Sequence, residues 1–249
     1  MQRYFVNGDQ ISGEQVLIMG EDVHHISNVM RMQIGDEVIV CAEGAGSYVA
    51  SIAEIGKDLV RCGVVSELDE SRELPVSVTI AQGIVKADKF DLVLQKGTEC
   101  GASGFVPVRM NRSVAKIDAR KVDGKVSRWR KIVKEAARQS HRQVVPEVRE
   151  VVDFSHLVEL RSNFDVCVFA YELSAGKEIK GALARVMSEI RNGAKVLVLV
   201  GPEGGIADCE VSALCEAGFL PVSLGPRILR TETAPIYVLS AISYALELL

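Results

Sequence analysis

The run Val196 to Val200 is continuous, apolar and rich in β-branched side chains, and it stops abruptly at Gly201-Pro202, with Glu203-Gly-Gly205 following. A parallel strand buried on both faces requires a run of this kind, so the segment predicts a sheet covered on both sides. The glycines remove side chains that would hold a ligand away from the backbone, and the proline stiffens the turn. A second segment repeats the plan. Leu220 to Leu224 is a brief apolar strand, Gly225-Pro226 turns the chain, and Thr231 or Thr233 is placed to cap a C-terminal helix. Ligands in open α/β sheets sit beyond the carboxyl ends of the strands, and the two loops together predict one site.

Elsewhere the pattern divides in two. Residues 1–73 carry short alternating stretches, such as Glu37 to Cys41 and Ser47 to Ile52, separated by Gly44-Ala-Gly46 and Gly56-Lys-Asp58. That spacing suits a small β-barrel. The charged stretch Glu67 to Glu73 before Pro75 reads as a linker, and strands alternate with helices over 74–249. Strands are expected at Val76–Ala81, Phe105–Val108, Val166–Ala170, Val196–Val200 and Leu220–Leu224, and helices at Lys89–Cys100, Ser127–Ser140, Gly181–Asn192 and Ala207–Ala217. The fold class this predicts is α/β with a mostly parallel sheet.

The chain has 249 residues, comfortable for two domains, and 48% of them are hydrophobic, ordinary for a soluble globular protein. No run approaches the length of a membrane span and Met1 to Val6 lacks a signal-peptide core, so a cytoplasmic protein without a membrane partner is expected. The six cysteines form no C-x-x-C pair and the four histidines no spaced ligand set; reduced, mostly buried thiols and no metal are expected. The net charge of −4 conceals a strongly basic segment. Between Arg109 and Arg149 thirteen Lys or Arg stand against four Asp or Glu, which predicts a phosphate-facing side in an acidic protein. Arg128, Lys131, Lys134 or Glu135, and Arg138 fall at helical spacing, with Trp129 beside them to pack or stack.

Gly201-Pro-Glu-Gly-Gly205 and Leu224-Gly-Pro-Arg-Ile-Leu-Arg-Thr-Glu-Thr-Ala234 resemble the signature of the RsmE-type ribosomal RNA uridine-N3 methyltransferases, which belong to the SPOUT superfamily. Lys86 with Gln95-Lys-Gly-Thr-Glu-Cys-Gly101 and Pro107, and Arg128 to Arg142 with Pro146, are similar to the preceding blocks of that family. Arg3-Tyr-Phe-Val6 and Arg31 with Gly35-Asp36 resemble its amino-terminal PUA-like β-barrel, so the resemblance spans nearly the whole chain in order. Ile206-Ala-Asp-Cys209 departs from the family pattern, which leaves the helix cap there to Asp208.

The resemblance implies a C-terminal trefoil knot whose loops bind S-adenosylmethionine. Leu199, Gly201, Glu203 and Gly204 would form one wall of that pocket. Leu224, Gly225, Ile228, Leu229, Arg230, Thr231 and Ala234 would form the other. It further implies methylation of a uridine N3 in 16S ribosomal RNA of the small subunit, with Arg3, Arg31, Lys86, Arg112, Arg128, Arg138 and Arg142 as RNA contacts. Aligning donor carbon, target nitrogen and leaving sulfur is the main demand of such a transfer, and no metal is needed. Arg230 is the first choice for stabilising the developing anion and Arg227 the second; either could instead anchor phosphate or brace the knot. Glu203 and Glu232 read as base or as loop braces, bracing being favoured because such carboxylates often bind neighbouring amides.

From Pro235 to Leu249 the residues Ile236, Leu239, Ile242, Leu246 and Leu249 make one apolar stripe, and Val238, Ala241, Ala245 and Leu248 a second. A helix apolar on two faces needs two partners, here the protein's own sheet and a second subunit, which fits a SPOUT-like homodimer. Two other function classes fit the residues less well. An RNA-assembly factor that had lost the reaction would show a damaged cofactor loop, and both loops are intact. A dinucleotide-dependent enzyme needs G-x-G-x-x-G after its first strand, which Gln82-Gly-Ile-Val-Lys-Ala-Asp88 does not supply.

Overall fold

Alternating apolar positions near the start of the chain close into one core, and the continuous apolar runs further on build another. The computed structural model describes residues 1–42, 44–69, 71–115, 118–171 and 182–249. It divides into a first unit, Met1–Glu73 with Ala137–Val145, and a second, Leu74–Ala136 with Pro146–Leu249. The sequence alone assigns 137–145 to the second unit; the contacts assign it to the first.

The first unit is a six-stranded sheet of β1 (Gln2–Val6), β2 (Ile11–Ser12), β3 (Gln15–Met19), β4 (Glu37–Ala42), β5 (Gly46–Ile55) and β6 (Leu59–Glu67). The strand order is β1-β4-β5-β6-β3-β2, and among the described residues only the β1–β4 pair is parallel. The period of two turns Val16, Ile18, Val38, Val40, Ala50, Ile52, Val60 and Cys62 inward, and all share one core with Tyr4 and Val6 from the edge strand β1. A short helix, α1 (Glu21–His24), contributes Val23 to the same core.

The residues 137–145 belong here because of three arginines that the sequence had suggested as RNA contacts. Arg3, Arg138 and Arg142 are buried. Arg3 donates to the carbonyls of His141 at 2.6 Å and Arg142 at 2.9 Å. Arg138 donates to the Asp22 carboxylate at 2.6 Å and the Arg3 carbonyl at 3.0 Å, while Arg142 Nε donates to Glu73 at 3.0 Å. A buried guanidinium must find such partners, and these side chains are thereby withdrawn from solvent. The Arg138 guanidinium also lies 5.4 Å from the centre of the Tyr4 ring. Burial pushes the Tyr4 phenol up to about 12, against the opposing effect of Arg138.

The second unit is a parallel sheet of β7 (Ser77–Gly83), β8 (Gly104–Arg109), β9 (Glu147–Val148), β10 (Val152–Asp153), β11 (Val166–Ala170), β12 (Lys195–Val200) and β13 (Leu220–Val222). The order is β10-β8-β7-β12-β11-β13 with β9 also on β8, and every described ladder is parallel. Strand β12 runs between β7 and β11 with Val196 beside Val78 and Val166, which is why Val196 to Val200 needed to be apolar on both faces. Among the described residues six α-helices accompany the sheet: α2 (Ala87–Glu99), α3 (Val122–Gln139, whose last residues cluster with the first unit), α4 (Phe154–Glu159), α5 (Ala182–Glu189), α6 (Asp208–Glu216) and α7 (Thr233–Ser243). The short pieces β9, β10 and α4 carry too little periodicity to be read from sequence. The expected helix start at Gly181 lies outside the described residues. Trp129 of α3 packs its ring 4.4 Å from that of Phe90 in α2, so it serves the core rather than a surface stack.

Both expected helix caps are replaced. Asp208 opens α6 from an exposed position, and Glu210 makes the cap, its Oε2 accepting the Ala207 amide at 2.9 Å. At α7 the N-cap residue is Glu232, because the Thr231 hydroxyl donates instead to the Gly201 carbonyl at 2.6 Å. Along α7 both Leu239 and Val238 are fully buried within this unit, while Tyr237 and, beyond the end of the helix, Tyr244, Leu248 and Leu249 are exposed. Cys41, Cys62 and Cys167 are buried free thiols, the last two pushed by burial up to about 11; Cys209 and Cys215 are exposed. No described helix is long and apolar enough to cross a membrane.

Candidate functional site

A cavity of about 620 Å³ opens beyond the carboxyl ends of β11, β12 and β13, all in the second unit. Its walls are the predicted loops, Gly201–Glu203 with Gly205–Ile206, and Ser223–Gly225 with Arg227–Glu232. A third contribution, Ala170-Tyr171 at the end of β11, was missed; the strand itself was legible, but its position beside β12 was not.

Of the eleven residues the resemblance placed in a cofactor pocket, Gly201, Glu203, Leu224, Gly225, Ile228, Leu229, Arg230, Thr231 and Ala234 line the cavity. Leu199 is buried in the core beneath the loop. Gly204 is exposed and does not line the cavity; a Cβ there would stand 2.7 Å from the Arg112 carbonyl oxygen and 2.9 Å from the Arg112 Cβ. Gly83, at the end of β7, is pressed in the same way: a Cβ there would lie 2.6 Å from Pro202 Cδ. Only glycine permits these backbones to approach so closely.

Polar contacts tie the two loops together. Gln82 Nε2 donates to Thr231 Oγ1 at 2.9 Å, and Thr231 passes the connection to the Gly201 carbonyl. The Asn111 amide donates to Glu210 Oε1 at 2.8 Å and Arg112 to the Ile206 carbonyl at 3.2 Å, fastening the chain after β8 to the start of α6.

Four cations, Lys89, Arg112, Arg227 and Arg230, line the cavity with two carboxylates, Glu203 and Glu232. The Lys89 ammonium stands 3.2 Å from Glu203 and 3.8 Å from Glu232, and the Arg230 guanidinium 3.9 Å from Glu232. Lys89 sits in the first turn of α2, far in sequence from both loops, and no local signal marked it. Burial pushes the Glu203 carboxyl up, but its own amide, the Lys89 ammonium and the Lys86 amide overcome this and hold it below the usual range. Among the described residues two side-chain acceptors, Gln82 Oε1 and Glu232 Oε2, are buried without a hydrogen-bond partner.

The remaining basic residues separate by exposure. Arg31, Lys86, Arg112 and Arg128 are exposed, in contrast to the three buried arginines of the first unit. Arg128 holds Asp91 bidentately at 2.9 and 2.6 Å. Among the described residues no group of three His, Cys, Asp or Glu is arranged to hold a metal ion.

Parallel strands, glycine loops at their carboxyl ends and a cavity lined by cations describe a site for a ligand with both apolar and anionic parts. Residues 72–243 match the family model described as an RNA methyltransferase domain, and residues 18–65 the model of the RNA methyltransferase PUA domain. The class is therefore an RNA methyltransferase with an amino-terminal PUA domain. Over its full length the chain is 46% identical to the ribosomal RNA small subunit methyltransferase E of Bacillus subtilis, covering 98% of that protein. It is 32% identical to the Synechocystis protein of the same name over 98% of this chain and 78% of that one. The enzyme of that name from Neisseria gonorrhoeae, solved bound to S-adenosyl methionine, superposes with a TM-score of 0.83 at 28% identity, covering 98% of this chain and 97% of that one. A putative methyltransferase from Legionella pneumophila, in complex with bound cofactor SAM, gives 0.82 at 30% identity with the same coverage. The chain belongs to the ribosomal RNA small subunit methyltransferase E family.

Proposed function

We propose that the cavity binds S-adenosylmethionine and that the protein methylates N3 of one uridine in 16S ribosomal RNA. The observation that carries this reading is the cavity itself, which opens where two glycine loops end adjacent parallel strands in a chain similar end to end to methyltransferases of that kind. Its volume, about 620 Å³, falls within the roughly 300–1,000 Å³ range of cofactor sites. The residues fit the group: loop backbones stripped of side chains can bind an adenine edge, Ile206, Leu224, Ile228 and Leu229 offer apolar contact, and Glu232 keeps a buried acceptor without a hydrogen bond. S-adenosylmethionine supplies, when bound, an electrophilic methyl on a sulfonium sulfur.

The chain's own residues supply the rest. The apolar walls and the pinned loops fix the line of transfer, which is the main requirement of an in-line displacement. Arg230, largely exposed at the rim, sets positive charge where the uracil becomes anionic. Glu203, committed to amides and Lys89, braces its loop. Arg31, Lys86, Arg112 and Arg128 remain as phosphate contacts, and Arg3, Arg138 and Arg142 act on the RNA only by holding the first unit together. The link from Thr231 to Gly201 supports a trefoil knot in which the C-terminal segment is held against the loop after β12. The exposed Tyr237, Tyr244 and Leu248 support a homodimer through the C-terminal helix.

The test is incubation with labelled S-adenosylmethionine and small ribosomal subunits lacking the modification, followed by mass spectrometry of the RNA. A single N3-methyluridine in 16S RNA is expected, together with at least a tenfold loss of cofactor affinity in Gly204→Val, whose branched side chain has no room. Methylation at another atom, or cofactor binding unchanged in the variant, would overturn the reading.

A further inference from the structure

Uridine N3 carries a proton that must leave before, or as, the methyl arrives, so the reaction calls for an acceptor beside the target nitrogen. Among the described side chains lining the cavity, Lys89, Arg112, Arg227 and Arg230 carry no acceptor, and Tyr171, Ser223 and Thr231 carry hydroxyls, poor proton acceptors beside a carboxylate. Among these residues the acceptors are narrowed to the two carboxylates. Glu203 is engaged by two amides and by Lys89, and its depressed proton affinity makes it a poor acceptor. Glu232 is 8% exposed, lines the cavity, and keeps Oε2 buried without a hydrogen-bond partner. A buried carboxylate oxygen in that condition calls for an explanation, and a catalytic role at the cavity it lines is one.

We propose that Glu232 is the catalytic residue that takes the N3 proton, an inference that rests on the reading of the reaction given above. The N3–H bond breaks toward the Glu232 carboxylate, and the electron pair left on N3 forms the bond to the donated methyl carbon. The carbon–sulfur bond breaks with its pair returning to sulfur, and the protonated Glu232 then gives its proton to solvent through the open cavity. The groups facing Glu232 suit this arrangement. Lys89 from α2 lies 3.8 Å away and Arg230 from its own loop 3.9 Å, so two cations flank the place where negative charge passes between uracil and carboxylate. Glu203, on the loop after β12, faces the same ammonium from the other side and keeps Lys89 placed between the two carboxylates. The position of Glu232 is set rather than incidental: it is the N-cap residue of α7, and the preceding Thr231 is bonded to Gly201 and Gln82.

The experiment compares the full-length protein with Glu232→Gln, measuring cofactor affinity and single-turnover transfer to small subunits between pH 6 and 9. In Glu232→Gln, cofactor affinity is expected to stay within about threefold while transfer at pH 7 falls by roughly 10²–10⁴-fold, the usual contribution of a positioned base. The residual rate should climb about tenfold per pH unit, because hydroxide must then remove the proton. Small subunits reconstituted with RNA containing 5-fluorouridine, whose N3 is more acidic, should recover much of the loss. Glu232→Asp, which retains the carboxylate but shortens its reach, should give an intermediate rate with the parent pH profile, and it tests the same point should Glu232→Gln not fold. An unchanged rate, or a fall with neither the pH slope nor rescue by the fluorinated RNA, would overturn the proposal and leave Glu232 a brace. If the parent protein produces no N3-methyluridine, the reading of the reaction fails first, and the parent control separates that outcome from failure of the base.

Discussion

In the first unit three arginines are taken out of water, and each meets a backbone carbonyl or a carboxylate. Around the cavity of the second unit the relation is reversed: the Arg230 side chain is 82% exposed, and it is a glutamate oxygen that is buried without a hydrogen bond. Both regions bring arginine close to carboxylate. The difference lies in how far the buried charge is held from within: each of the three arginines donates to the chain, although Arg3 Nε itself has no hydrogen-bond partner, whereas Glu232 Oε2 accepts no hydrogen bond.

The comparison can be broken most decisively at Arg138. Arg138→Ala would leave Asp22 buried without its guanidinium, a change that costs about 3–5 kcal/mol in comparable buried pairs. Urea unfolding followed by far-UV circular dichroism should register the loss, whereas cofactor affinity measured well below the transition should be unaltered. A similar weakening at the cavity would show that the two regions do not divide the work as described.

A smaller effect is expected from Tyr4. Below pH 10 the phenol is protonated in both folded and unfolded chains; between pH 10 and about 12 the unfolded chain ionises and the folded one does not. The unfolded state therefore binds fewer protons in that window, and stability falls as pH rises through it, by up to about 3 kcal/mol for a shift of this size. Denaturation curves from pH 9 to 12 should show the slope, and Tyr4→Phe should reduce it.

The smallest effect sharpens the comparison from the exposed side. Arg128→Ala removes a bidentate pair with Asp91, yet half of the arginine side chain is exposed, and such pairs contribute about 0–1 kcal/mol. Thermal melting should scarcely change. The binding of small subunits should weaken and lose part of its salt dependence, since phosphate contacts release counterions.

Much of this fold was legible because local pattern encodes local burial. The strands at Val166–Ala170 and Lys195–Val200 fall where their apolar runs predicted, and the glycine loops mark the cavity, Gly204 because a Cβ there would meet the Arg112 backbone and Gly205 and Gly225 because their φ is positive. The helix caps were misread for an equally physical reason. Several oxygens near each helix start were competent to cap, and the choice went to Glu210 once it could also accept the Asn111 amide from a distant turn, while Thr231 was drawn away to Gly201. Nothing adjacent in sequence signals either competition.

The sequence by itself determined the two-part plan, the parallel sheet, the glycine loops and the basic segment, because periodicity, turn chemistry and charge are properties of neighbouring residues. Only the tertiary structure decided which cations in that segment face water, that Lys89 comes to stand between Glu203 and Glu232, and that β11 supplies a third wall. Arg138 meets an aspartate 116 positions away, and Gln82 a threonine 149 positions away. Whether a charged side chain is braced, solvated or left waiting for a ligand depends on partners that chain folding alone brings within reach.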